Sequence, residues 1–195
     1  MYLRSRLLSS LAVTAVLFSQ SAFAAPVTYK LDPSKSTLQF VFNQAGAKND
    51  GKFTKYDVGF VLAPEPNATN TLNVVVQVSS LDTGDKDRDS TLRSADLFNV
   101  AKYPQAKFSA TKITHGAGDK YEALGKLTIR DASRDVKIPL TFKTVNEGGK
   151  LVGAMTGEIV IKRLDYGVGQ GEWKSTEWVD NEVTVKFSLR LLPNP

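Results

Sequence analysis

Apolar and polar residues alternate with a period of two through most of this chain. Leu38, Phe40 and Phe42 face Thr37, Gln39 and Asn43, with Val41 breaking the polar side. Leu72, Val74, Val76 and Val78 repeat the pattern, followed by Tyr121, Ala123, Gly125, Leu127 and Ile129, and by Val136, Ile138, Leu140 and Phe142. Leu151, Gly153, Met155, Gly157, Ile159 and Ile161 form another run, and Val183, Val185, Phe187, Leu189 and Leu191 close the chain. Successive side chains on a strand point to opposite faces, so each run predicts a strand with one apolar and one wet face. With Phe53–Leu62 and a shorter run around Phe108, about eight strands are expected on this template.

Turn residues separate the runs. Asn49-Asp50-Gly51 is expected to divide the first two strands, and Gly116-Ala117-Gly118-Asp119 precedes the Tyr121 run. Asn146-Glu147-Gly148-Gly149 predicts a hairpin between two long runs, and Pro64 and Pro66 end the second strand. Short turns and one wet face favour an antiparallel meander. So many strands in one domain must form a sandwich or a closed barrel, and closure removes the exposed edges. Gly125, Gly153 and Gly157 fall on the apolar face, where glycine marks a bend or the close approach of a ligand.

One stretch breaks the period. DKDRDSTLRSADLFNV, Asp85 to Val100, predicts a short helical segment near one end of the barrel. Asp89 or Ser90 is its expected cap, Ser94 can cap a second turn, and Leu92, Leu97 and Phe98 would pack inward as a lid. Asp85, Asp87 and Asp89 are spaced like half a calcium loop, but the twelfth position holds Asp96 and the sixth Ser90, which disfavours a metal site.

The amino terminus changes the setting. Arg4 and Arg6 precede LLSSLAVTAVLF, Leu7 to Phe18, and then Ala22-Phe23-Ala24, the pattern of a cleavable export signal over residues 1–24. Twelve apolar residues are too few to cross about 30 Å of hydrocarbon. Residues 25–195 are expected as one exported domain of 171 residues (195 − 24), soluble in the periplasm of a bacterium. The formal charge of +5 becomes +3 without Arg4 and Arg6. Lysines are scattered rather than blocked, which argues against nucleic acid as a partner and leaves a weak attraction to membrane surfaces open. The chain has no cysteine, which excludes disulfides and thiolate chemistry. His115, the sole histidine, sits in the turn THGAGD and is expected to be solvated.

Leu92 to Ala110, LRSADLFNVAKYPQAKFSA, resembles the signature of the YceI-like family. The opening Tyr29-Lys30-Leu31-Asp32-Pro33-Ser34-Lys35-Ser36, before the family's first strand, and the closing LDYGVGQGEW (Leu164–Trp173) with EVTVKFSLRL (Glu182–Leu191) resemble it in the same order. Asp96-Leu97-Phe98 stands where members carry Asp-Phe-Phe, and the histidine many members have between Phe40 and Lys52 is absent. The resemblance implies an up-and-down, lipocalin-like barrel of the periplasm that takes a polyisoprenoid chain, such as a quinone tail, into its interior.

The apolar alternants Phe40, Phe42, Phe60, Val76, Phe108, Leu127, Phe142, Met155 and Phe187, with Leu92, Leu97, Phe98 and Trp173, are the expected ligand-binding set. Taken singly each is more ordinarily core packing. Arg93 is the candidate for meeting a head group, or else pairs with Asp96 three residues on. Trp173 and Trp178 either close one end of the barrel or sit at a membrane-facing rim. No catalytic or metal-ligating constellation is expected and no cofactor beyond the bound lipid. A lipid-modifying enzyme using the same cavity, or a stress-response module with a solidly packed barrel, are the rival readings. A homodimer is compatible with the sequence.

Overall fold

The structure, a computed structural model, describes residues 25–63 and 69–194, so the expected export signal, Pro64 and Pro66 lie outside the described residues. The strands are β1 (Val27–Leu31), β2 (Thr37–Gln44), β3 (Ala47–Phe53), β4 (Tyr56–Leu62), β5 (Thr71–Gln77) and β6 (Leu81–Asp82). After the helix α1 (Lys86–Arg93) come β7 (Gln105–His115), β8 (Lys120–Ile129), β9 (Ala132–Glu147), β10 (Lys150–Lys162) and β11 (Val179–Asn194). All belong to one sheet, in the order β1-β4-β5-β7-β8-β9-β10-β11-β2-β3-β6, with β1 also paired to β11. β1 runs into β2 across a turn at Pro33–Lys35, β3 into β4 at Thr54-Lys55, and β5 into β6 across Val78–Ser80. Read through these breaks, the segments make eight strands, each antiparallel to its neighbours in the chain. The expected barrel is this meander, closed where Thr28 to Leu31 of β1 meet Asn194 to Leu191 of β11.

The turns differ from expectation in one place. Asn49-Asp50-Gly51 lies inside β3, paired with Phe42, Val41 and Phe40 of β2. The first hairpin instead reverses at Ala45 and Gly46, both with positive φ (51° and 76°), as a two-residue turn matched to strand twist requires. Gly51 is needed for space, because the Phe40 ring lies where its Cβ would be. The expected hairpin at Gly148-Gly149 forms with Asn146 Oδ1 accepting from the Gly149 N–H at 2.9 Å. Leu151, just past it, is 60% exposed although it was expected on the apolar face. The strand-face glycines serve the wall and not a ligand. A Cβ on Gly157 would lie 2.5 Å from Phe187 Cζ, one on Gly153 2.6 Å from Phe142 Cε2, and one on Gly125 2.5 Å from the Ser109 carbonyl.

One end of the barrel is solid. Tyr29, Phe60 and Phe142 meet with ring centroids 4.9 to 5.9 Å apart, surrounded by buried Leu31, Leu140 and Leu191. β1 was not expected as a strand of its own, and it brings Tyr29 and Leu31 to this floor. Asp32, which follows it, caps the Pro33 turn through Ser34 and pairs with Arg190 of β11. Arg190 also donates to Glu147 Oε2 from Nε (3.0 Å) and Nη2 (2.7 Å), pinning three strands together.

At the other end, the connection from β10 to β11 is wrapped around Arg163, which is 5% exposed. Its Nε donates to the Asp180 carbonyl, Nη1 to Val168 and Trp173, and Nη2 to Ser175 and Val179, at 2.7 to 3.0 Å. All five guanidinium N–H donors are thereby filled by backbone carbonyls. Gly169 is left-handed (φ 124°) and a Cβ there would collide with Arg163 Nη1.

Two outcomes follow from these clamps. Arg163→Lys keeps the charge but loses the planar fork, so it is expected to cost about 3 kcal/mol in urea unfolding and to open residues 164–178 to proteolysis. The Ser34 hydroxyl and then Arg190 hold the Asp32 carboxyl below its ordinary value, and Arg190 does the same for Glu147. A lowered folded-state pKa stabilises above the unfolded value and is lost as pH falls through the folded one. The urea midpoint should be flat above about pH 5 and fall below about pH 4, with a shallower fall in Arg190→Gln, which keeps the Ser34 bond to Asp32 and the lowered carboxyls of Asp82, Asp85 and Asp131.

Candidate functional site

Burial falls along the inward face of β11 and marks where packing stops. Leu191 is fully buried and Leu189 7% exposed, whereas Phe187, Val185 and Val183 are only half-buried despite pointing inward. The same holds for Leu38, Val74, Leu127 and Ile159 on other strands. These side chains border a cavity of about 460 Å³ above the aromatic floor, within the range of small-molecule sites. The interior is therefore not packed solid, which removes the reading of a filled module.

The lining is aliphatic and aromatic over most of its depth. Of the residues expected from the sequence, Phe40, Phe42, Val76, Leu92, Leu97, Phe98, Phe108, Leu127, Met155, Trp173 and Phe187 border the cavity. Phe60 and Phe142 do not, because they are spent on the floor. The sequence pattern shows which face of a strand points inward, but not how far along the strand the neighbours fill the space.

Arg93 is the third residue placed elsewhere. It donates Nε to the Ser79 carbonyl at 3.1 Å and Nη2 to the Leu81 carbonyl, and lies 3.6 Å from Asp89. It stitches α1 to the end of the β5–β6 strand, and its ion-pair partner is Asp89 and not Asp96. The helix begins earlier than expected. Asp85 caps it by accepting from the Asp87 and Arg88 N–H groups, both at 3.0 Å. Asp89, expected as a cap, is buried inside the helix and accepts from the Thr83 N–H and hydroxyl. The three alternate aspartates are thus not gathered on one point, and among the described residues no cluster of acidic or histidine ligands forms a metal site. His115 is exposed, bonded to the Gly118 carbonyl and stacked on Tyr121.

After α1 the chain turns through Ser94–Asn99 and drops Leu97 and Phe98 across the open end. Arg130, with positive φ (55°), holds this segment by donating Nη1 to the Ala95 and Leu97 carbonyls. The Asp96 carbonyl accepts from the Gly169 and Gln170 N–H groups, which ties the lid to the loop around Arg163. The two tryptophans are placed differently. Trp173 is half-buried in the cavity wall, and Trp178 is 66% exposed on the rim, its carbonyl accepting from the Ala45 N–H of the first hairpin.

Gln44, Asp85, Asp87, Arg88, Thr91 and Arg163 gather polar groups at this rim, and Lys107 and Tyr166 also belong to the lining. Burial alone lowers the Arg163 pKa, yet five carbonyls hold its cation. Deeper in, Tyr56 separates the cavity from an outer cleft of about 690 Å³, where β3 and β4 part. The cleft is walled by Lys52, Lys55, Gln39 and Gln77 together with Leu38, Phe53 and Val75, and is more polar than the cavity. The Tyr56 hydroxyl has no hydrogen-bond partner among the described residues, and burial pushes its pKa up, so it stays a neutral phenol. Neither Tyr56 nor Arg163 was singled out in the sequence, because nothing local distinguishes a buried arginine from a solvated one.

Known proteins of this shape share the arrangement. The crystal structure of Burkholderia cenocepacia BcnA superposes with a TM-score of 0.75 at 33% identity, covering 82% of this chain and 98% of that one. A polyisoprenoid binding domain from Saccharophagus degradans, implicated in plant cell wall breakdown, shares the fold at a TM-score of 0.66 and 17% identity, over 85% and 98% of the two chains. Protein YceI of Escherichia coli O157:H7 is 29% identical over 187 residues, 92% of this chain and 95% of that protein. A UPF0312 protein of Pectobacterium atrosepticum is 30% identical over 171 residues, 85% and 88% of the two chains. The model of the YceI-like domain matches residues 29–191, and with a closed eight-stranded barrel whose signature segment Leu92–Ala110 runs from the end of α1 through the lid into β7, the chain belongs to the YceI-like family.

Proposed function

We propose that this chain is an exported, periplasmic carrier that holds one long-chain apolar amphiphile, a polyisoprenoid or quinone-like lipid, in its barrel and performs no chemistry on it. The observation that carries this reading is the apolar void of about 460 Å³ between the aromatic floor and the lid. Each methylene buried there contributes about 0.8 kcal/mol, so a tail of tens of carbons binds without any directed bond. The Saccharophagus neighbour, described as binding polyisoprenoid, supports the ligand class. Arg4, Arg6 and the Ala22-Phe23-Ala24 site support export. Trp178 on the rim supports transient contact with a membrane surface, since an exposed indole suits that interface.

Organic extraction of the protein purified from the periplasmic fraction, followed by mass spectrometry, is expected to yield about one long-chain lipid per chain. A reproducibly empty barrel, with no thermal shift on adding a quinone or a polyprenol, would overturn the reading. Leu127→Trp places an indole in the void. It is expected to cut lipid occupancy at least roughly tenfold while the urea midpoint changes little, because the added volume enters empty space rather than packed core.

A further inference from the structure

We propose that Arg88 is the head-group residue of this site and that it selects an oxyanion, a phosphate or diphosphate ester, at the end of the bound chain. The inference rests on the carrier reading and adds which end group the rim prefers. Of the other arginines near the open end, only Arg163 borders the cavity, and Arg93, Arg130 and Arg163 are each tied to backbone carbonyls, although the Arg130 Nε is buried without a partner among the described residues. Arg93 serves Ser79, Leu81 and Asp89, Arg130 serves Ala95 and Leu97, and Arg163 has every donor filled. Arg88 is different. It stands in α1 beside the lid, borders the cavity and is only half-exposed. Among the described residues its guanidinium makes neither a hydrogen bond nor an ion pair, although its backbone N–H donates to Asp85.

A half-buried guanidinium with five free donors fits an oxyanion bidentately, in a way a hydroxyl cannot match. Its surroundings temper the charge without cancelling it. The Asp85 carboxylate is occupied as the helix cap and feels the Arg88 charge, and the Asp87 carboxylate also borders the opening. Arg163 adds a buried cation on the facing loop that can act on an anion through its field although its N–H groups are used. Lys86, in α1, is exposed and stands outside the lining, whereas Lys107 of β7 belongs to the lining but is exposed and one residue out of step with the inward-facing Phe108. Asp87 is the residue that opposes an anionic head group, so its neutralisation should have the opposite sign to loss of Arg88.

The test uses delipidated mature protein and two probes with the same tail, geranylgeranyl phosphate and geranylgeraniol, followed by calorimetry. Wild type is expected to bind the phosphate roughly tenfold or more tightly than the alcohol, the range of a charge-assisted hydrogen bond. Arg88→Met should remove that preference and leave alcohol binding unchanged, Arg88→Lys should keep part of it, and Asp87→Asn should strengthen phosphate binding alone. Raising salt from 0.05 to 0.5 M should weaken only the phosphate. Equal binding of both probes by wild type, or an equal loss of both in Arg88→Met, would overturn the proposal while leaving the carrier reading intact. Binding of neither probe would overturn both. Inorganic phosphate that produced the same Arg88-dependent heat by itself would overturn the lipid as its source.

Discussion

The pairing of β11 with β1 over Thr28–Leu31 is the contact on which the rest of the structure depends. Without it the strands form an open sheet, whose inward face has no enclosed space and whose two edges are free to pair with other chains. β11 is sixteen residues long and spends its length on three neighbours: β10 along one side, then β2 and β1 in succession along the other. That division explains why the first strand must break at Pro33–Lys35. The chain leaves the floor as β1, shifts register around the Asp32 cap, and resumes as β2 toward the open end. Arg190 stands on β11 at this junction, and its ties to Asp32 and Glu147 lock the register across the break.

Closure fixes an interior, and side-chain size decides how it is filled. Aromatic rings crowd the floor, where Phe60 and Phe142 lie 4.9 Å apart, while Val, Leu and Ile dominate the upper half. Glycines let the wall accept rings on its own face: Gly157 under Phe187, Gly153 against Phe142, Gly51 under Phe40. Phe187 and Phe40 lie over their glycines beside the void, whereas Phe142 over Gly153 belongs to the packed floor. The void thus depends on where rings are placed, in addition to the number of strands.

Sequence periodicity carried the strands, their antiparallel order and the lid, because period two and turn residues are local properties. It misplaced the first turn, since Asn-Asp-Gly is a strong local motif and the requirement for Gly51 is set by Phe40 on another strand. It assigned most of the cavity wall through the inward parity of each run, and misassigned Phe60 and Phe142 because parity is blind to depth. The arginines were the least legible. Arg93 stood inside the family signature and drew attention, but the reach of a long side chain is decided by tertiary neighbours. Only the structure separates Arg163, saturated by carbonyls, from Arg88, saturated by nothing.

That separation bears on how such a barrel can be specific at all. Affinity from an apolar tube accumulates per methylene and scarcely distinguishes one long chain from another. An unpaired polar group deep in the tube would discriminate, yet it would also penalise every tail that passed it. The barrel gathers most of the polar side chains of its lining at the rim, with the Tyr56 hydroxyl sealed in the wall. Tail and head are consequently read by different parts of the chain: strand alternants above the floor set the capacity, and the helix, lid and Arg163 loop set the choice. The signature from Leu92 to Ala110 and the closing motif around Asp165 to Trp173 meet at that rim through the Asp96 carbonyl. Meeting there, the two segments hold an opening over an interior that, by its chemistry, accepts almost any apolar chain.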